Sequence, residues 1–140
     1  MTLPNFSFTE KLNEAQFDQL HALYQTMWWS TDRTKEEILI LLKNSIVFSL
    51  INNASSELVG FARVLTDELR YAYIYDVMAV EHLRGQGLGK LIMQHILSHP
   101  KLKNVKYFEL TCVPEMVDYY KKFGFTEDYR KVVAMRLCKK

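Results

Sequence analysis

Residues 70–97 read RYAYIYDVMAVEHLRGQGLGKLIMQHIL, and the fold turns on how this stretch is divided. Its first eleven residues are rich in β-branched and aromatic side chains, which fits a buried strand. From Leu88 onward the apolar residues recur at Leu88, Ile92 and Ile96, the spacing of one helix face, with His95 and His99 on or beside that face. Between strand and helix lies RGQGLGK, residues 84–90, with glycines at 85, 87 and 89. Glycines at alternating positions suit neither element's interior, because each costs backbone entropy and side-chain packing. Such a strand-to-helix turn directs several free N–H groups and the positive end of a helix dipole at one point, which favours an anion, most naturally a phosphate. Glycine also permits positive φ and removes the Cβ atoms that would hold a ligand off the backbone, while Arg84 adds a charged donor. On these residues alone, a tight turn whose glycines merely reverse the chain remains the competing reading.

Upstream of this unit, SIVFSLI and ELVGFARVLT are joined by the turn formers NNASS and predict a hairpin. Two helices are expected before it. Asn13 stands three residues ahead of Gln16, with Phe17, Leu20, Leu23 and Met27 at helical spacing, and Thr34 with Glu37 forms a second capping box ahead of Ile38, Leu41 and Leu42. Phe6 and Phe8 make a short apolar opening. Downstream, HPKLKN breaks the chain, VKYFELTC predicts a strand, MVDYYKKF a short helix ended by Gly124, and KVVAMRLC a closing strand. The order predicts an α/β (α+β) sandwich, a mixed sheet flanked by helices.

Composition narrows the function. A chain of 140 residues that is 49% hydrophobic, without repeats or linkers, fits one domain spanning 1–140. Its 18 basic and 16 acidic residues are spread along the sequence, so no nucleic-acid partner is expected. No apolar run approaches a bilayer span and the opening MTLPNFSFTEKL lacks a signal-peptide pattern, so the expectation is a cytoplasmic protein with no membrane partner. Cys112 and Cys138 lack metal-knuckle spacing and are expected to be small buried apolar residues. His95 and His99 lie one turn apart, but no third ligand converges and HExxH is absent, so no metal is expected. His82 is expected as an exposed turn residue beside the glycine loop.

The spacing of the loop discriminates among phosphate ligands. A Walker loop needs four residues between its first glycine and a Gly-Lys pair followed by Ser or Thr, whereas three residues lie between Gly85 and Gly89 and Leu91 follows Lys90. A dinucleotide fingerprint needs Gly-x-Gly-x-x-Gly after a parallel strand, and here the strands look antiparallel. The run Arg84, Gly85, Gln86, Gly87, Leu88, Gly89 instead resembles the Arg/Gln-x-x-Gly-x-Gly/Ala signature of the GNAT superfamily of acetyl-CoA-dependent N-acetyltransferases. DYYKKFGF, residues 118–125, resembles that family's Phe-Tyr-x-Lys-x-Gly-Phe element, with Tyr119 in the Phe position. The order of elements matches over nearly the whole chain. One departure is that many members carry an Asn before the second motif's helix, where this chain reads CVPEMVD.

The resemblance implies a mostly antiparallel sheet splayed between its fourth and fifth strands, with acetyl-CoA as co-substrate. The pantetheine arm is expected along backbone groups of Met78, Ala79 and Val80, with Val113 and Pro114 on the other side of the splay and the pyrophosphate on the N–H groups of Arg84, Gly85, Gln86, Gly87, Leu88, Gly89 and Lys90. Tyr120 matches the general-acid position and Tyr119 is expected to pack. Asp76, a carboxylate in an otherwise apolar strand, is the first candidate base and Glu109 its rival, either acting directly or through water; either is equally explained as a satisfied structural carboxylate. Tyr24, Trp28, Trp29 and Arg33, in the region joining the first two helices, are candidates for the acceptor pocket, and core or dimer contact explains them as well. Tyr71, Tyr73 and Tyr75 carry the same ambiguity. Two functions follow: acetyl transfer to a primary amine of a small molecule or peptide by a monomer or homodimer, or a non-catalytic acyl-CoA-binding regulatory module of the same fold.

Overall fold

The apolar opening around Phe6 and Phe8 is a strand, β1 (Phe6–Thr9), a finding beyond the sequence expectation. Both capping boxes form as their spacing predicts. Asn13 Oδ1 accepts the Gln16 N–H at 2.8 Å while Gln16 Oε1 accepts the Asn13 N–H at 3.1 Å, opening α1 (Glu14–Gln25). Thr34 and Glu37 repeat the exchange at 3.1 and 2.9 Å and open α2 (Lys35–Lys43). Each box satisfies two N–H groups that a helix start leaves bare.

The hairpin β2 (Ile46–Asn52) and β3 (Leu58–Thr66) follows, then β4 (Tyr71–Ala79), α3 (Leu88–Leu97) and β5 (Tyr107–Glu109). In this computed structural model, which describes residues 5–139, the sheet order is β1-β2-β3-β4-β5. All pairings are antiparallel except β4 with β5, which is parallel and covers only Tyr71↔Tyr107 to Tyr73↔Glu109. Beyond Tyr73, β4 continues to Ala79 with no pairing to β5, and this is the splay.

Side-chain alternation along β3 separates two packed faces. Phe61 points into a cluster with Leu20, Leu23 and Tyr24 of α1, Ile38 of α2, and Met78 of β4. Gly60 points the other way, where a Cβ would lie 3.0 Å from Ile92 Cδ1 of α3, so a bare backbone lets α3 settle on the sheet. The face of α3 that it meets is Leu88, Ile92, Met93 and Ile96, all buried. Among the described residues no helix is long and apolar enough to cross a membrane.

Chain contacts resolve two units, one ending at Leu110 and the other starting at Thr111. The second holds a 3₁₀ turn (Pro114–Met116) running into α4 (Val117–Lys121). Three expectations are corrected in this half of the chain. The strand at 105–112 is realised over only three residues. No strand forms across KVVAMRLC, whose Val133, Met135 and Leu137 are exposed. Cys112 and Cys138 are both exposed free thiols rather than buried, because both lie outside the helices and strands that form the core.

Candidate functional site

The glycine loop is built as a cradle. After a 3₁₀ turn (Glu81–Leu83), Gly85 and Gly87 take φ of +82° and +86°, in the left-handed region that favours glycine, and Gly87 is the N-cap of α3. No side chain caps that helix start, and its first main-chain bond runs from the Leu91 N–H to the Gly87 carbonyl at 3.1 Å. The N–H groups of Leu88, Gly89 and Lys90 therefore precede the helix's own ladder, with the dipole behind them. A Cβ at Gly85 or Gly87 would meet nothing within 4 Å, so the space in front of the loop is open. Arg84 Nε reaches back to the Ala79 carbonyl at 3.2 Å, joining the loop to the end of β4.

The three strand residues expected to present their backbone are not equivalent. The Val80 N–H is committed to the Val59 carbonyl at 2.9 Å, on the β3 side, which removes it as a donor to a ligand on the splayed side. Alternation of strand polar groups turns Ala79 to the opposite edge, where β5 no longer pairs. Ala79 is thus the residue whose backbone faces the splay. Met78 is buried in the α1-side core.

Asp76 is where the sheet is most distorted. The β3–β4 register steps from Arg63↔Tyr75 to Phe61↔Met78, so Asp76 and Val77 together face Ala62 in a bulge, and Asp76 has φ of +57°. Asp and Asn tolerate that conformation better than most residues, and a local network holds it. Asp76 Oδ2 accepts from Arg63 Nε at 2.6 Å, Tyr24 Oη at 2.7 Å and Arg33 Nη1 at 2.8 Å. Two guanidinium groups and a phenol thus converge on one oxygen of a nearly buried carboxylate. The geometry fits the structural alternative for Asp76, a carboxylate that holds together Arg63, Tyr24 and Arg33. Glu109, the rival, stands at the last paired position of β5, opposite Tyr73.

The aromatic candidates separate in the same way. Tyr24 is fully buried, its phenol pushed well above its ordinary pKa by burial and by the Asp76 charge, so it is a core residue and not a lining of an open pocket. Trp28 is 78% exposed and Trp29 37%, which removes the core reading for Trp28. Tyr71 stacks on Tyr107, and Tyr73 on Tyr75, along the β4 face.

In the second unit Tyr120 and Tyr119 adjoin on α4, and Gly124 ends the helix at φ +97°. Tyr120 packs edge-on against Phe125 at 6.1 Å. Burial, followed by the neighbouring Tyr119 and Cys112, pushes the Tyr120 phenol up to about 12. Tyr119 is raised by burial alone and packs on Phe123. His95 stacks on Phe8 at 3.9 Å and His99 lies edge-on to Phe48, while His82 is exposed in the turn before the loop. No three metal-ligating side chains converge among the described residues.

A splayed, mostly antiparallel sheet whose fourth strand leads through an uncapped glycine turn into a helix is the architecture of the GNAT fold. The Acetyltransferase (GNAT) family model matches residues 9–125, and the chain belongs to that family. It is 32% identical over 131 residues to the uncharacterized N-acetyltransferase ycf52 of Porphyra purpurea, covering 92% of this chain and 74% of that one. It is 31% identical over 99 residues to serotonin N-acetyltransferase 2, chloroplastic, of Oryza sativa subsp. japonica, covering 69% of this chain and 50% of the relative. In fold it is similar to a GNAT-family protein of Xanthomonas campestris pv. campestris, with a TM-score of 0.80 at 23% identity over 97% of this chain and 96% of that one.

Proposed function

We propose that residues 1–140 act as one N-acetyltransferase domain that moves the acetyl group of acetyl-CoA to a primary amine of a small molecule or peptide, by direct attack in a ternary complex. The observation that carries this reading is the start of α3, where three N–H groups, two left-handed glycines and open space meet the edge of β4 at Ala79 that β5 does not pair. The residues fit a coenzyme A pyrophosphate held by main chain, with Arg84 as the adjoining charge. The pantetheine arm would add to the Ala79 edge as a short strand does.

In the reaction the neutral amine nitrogen attacks the thioester carbonyl carbon, the C–S bond breaks, the nitrogen loses a proton to water or to Glu109, and the sulfur gains one. Tyr120 serves the sulfur. A phenol near 12 facing a thiol of ordinary pKa about 8.5 gives up its proton reluctantly, so its contribution is a hydrogen bond to the developing thiolate. Asp76 serves as an organiser of Arg33, Arg63 and Tyr24 rather than as the base. The exposed Trp28 and half-exposed Trp29 suit an acceptor with an aromatic or apolar body, in line with the relative named for serotonin. A cytoplasmic location is the simplest setting, with the plastid as the alternative that the chloroplastic relative suggests.

The test is thiol release from acetyl-CoA across arylalkylamines, polyamines, aminoglycosides, amino acids and peptides. The reading predicts release that requires both substrates for at least one amine. A chain that is stabilised by acetyl-CoA but releases thiol with none of them is the non-catalytic module instead.

A further inference from the structure

Arg33 is surplus to the charge balance of its own cluster. Asp76 carries one negative charge, and the buried Arg63, 2.6 Å away, already neutralises it. The second guanidinium on the same oxygen leaves the Asp76–Arg63–Arg33 group formally at +1, with only the exposed Glu37 at the start of α2 as a further, weaker counter-charge to Arg33. Drawing an extra cation partly out of water is unfavourable unless its position is used. Arg33 belongs to the irregular connection 26–34 between α1 and α2, which Met27 ties to the core by packing, and Thr26 Oγ1 and Ser30 Oγ tie to α1 by donating to the Leu23 and Tyr24 carbonyls at 2.6 and 2.7 Å; none of these touches the Trp29 indole as Arg33 does. Its guanidinium carbon lies 4.9 Å from the Tyr24 ring centroid and 5.4 Å from that of Trp29. Those two rings meet edge-on, 6.4 Å apart at 88°. A planar cation therefore fills the corner between a buried phenol that Asp76 fixes and an indole at the surface.

We propose that the Arg33–Asp76 pair is a latch that positions Trp29, and through it the wall formed by residues 26–34, making Arg33 a specificity-determining positioning residue. That this wall faces the acceptor amine rests on the acetyltransferase reading. The latch rests on the geometry alone. A role confined to neutralising Asp76 would duplicate Arg63, whereas holding the indole requires the second guanidinium at this place.

Arg33→Met tests the latch without threatening the fold, because Asp76 keeps Arg63 and Tyr24 as partners. In a Trp28→Phe background Trp29 is the only tryptophan, and its quenching by neutral acrylamide should rise on Arg33→Met. With both tryptophans present, the amine KM should rise about tenfold while the acetyl-CoA KM stays within about twofold. Arg33→Lys, which keeps the ion pair but loses the planar stack, should fall between the two on both readouts. Unchanged quenching overturns the latch. Unchanged amine KM despite increased quenching overturns the specificity role, and a matched rise in both KM values with a lower melting temperature overturns both. If the wild type accepts no amine, the acetyltransferase reading fails by itself and quenching alone decides whether Arg33 holds Trp29.

Discussion

Tyr119 and Tyr120 are neighbours in sequence, and burial gives them different chemistry. Tyr120 is the more strongly shifted, up to about 12, so its phenol stays protonated at neutral and mildly alkaline pH and remains a hydrogen-bond donor there. Tyr120→Phe deletes the hydroxyl and keeps the ring that packs on Phe125, so folding should be nearly unchanged. The loss of one positioned hydrogen-bond donor to developing charge is worth a factor of about 10² to 10³, and it should appear in kcat and kcat/KM alike. Tyr119→Phe is the matched control and should be close to neutral. Because the wild-type phenol keeps its proton throughout, the ratio of wild-type to Tyr120→Phe rates should be flat between about pH 7 and 9, below the ordinary phenol value of about 10. Thiol release for both variants across that range checks it, and wild-type turnover by Tyr120→Phe removes the phenol from the mechanism. Sequence points to Tyr120 because a motif surrounds it. It cannot reveal the role of Asp76, whose partners Tyr24, Arg33 and Arg63 lie 52, 43 and 13 residues away and converge only through the bulge in β4. An apolar strand interrupted by one acid signals that the acid is special. It does not distinguish a base from an anchor.

Elements with local chemistry of their own are the ones that sequence predicts best. The capping boxes at Asn13 and Thr34, the β2–β3 hairpin and the glycine turn into α3 each carry their instructions within a few residues, and all four form. β1 escapes the same reading because four residues are too short to show a period, and it becomes a strand by pairing with β2 from Phe6↔Asn52 to Thr9↔Ser49. The glycine turn also yields a prediction that separates backbone conformation from ligand contact. Gly87 adopts φ of +86° in open surroundings, so Gly87→Ala meets no protein atom and costs folding only the strain of a left-handed residue, about 1–2 kcal/mol. Gly87→Val adds bulk in the space that a pyrophosphate would occupy. The thermal shift given by acetyl-CoA should be reduced by Gly87→Ala and abolished by Gly87→Val, with both proteins still folded when measured without ligand. A full shift in a folded Gly87→Val protein would move the phosphate site elsewhere.

At the scale of the whole molecule the clearest departure from the sequence pattern lies at the C-terminal end of the described chain. KVVAMRLC, with alternation at Val133, Met135 and Leu137 and a β-branched start, carries the local signature of a strand, but a strand also needs a neighbour to take its N–H and C=O groups. Periodicity states which face is apolar and leaves the partner unspecified. In the structure the segment has no strand pairing, and Val133, Met135 and Leu137 are 82%, 93% and 81% exposed. Burial of such side chains is worth about 1.5–3 kcal/mol each, so the two arrangements differ by several kcal/mol in what a polar substitution would remove. The exposed arrangement predicts that Val133→Thr, Met135→Gln and Leu137→Gln, combined, change unfolding free energy by less than about 0.5 kcal/mol per site. Solubility should improve, because the substitutions remove apolar surface presented to water. Urea unfolding of the triple variant checks this through its midpoint at constant m-value. A loss of several kcal/mol would mean that the three side chains are packed in solution, as the alternating sequence anticipates, and that the segment completes a strand there.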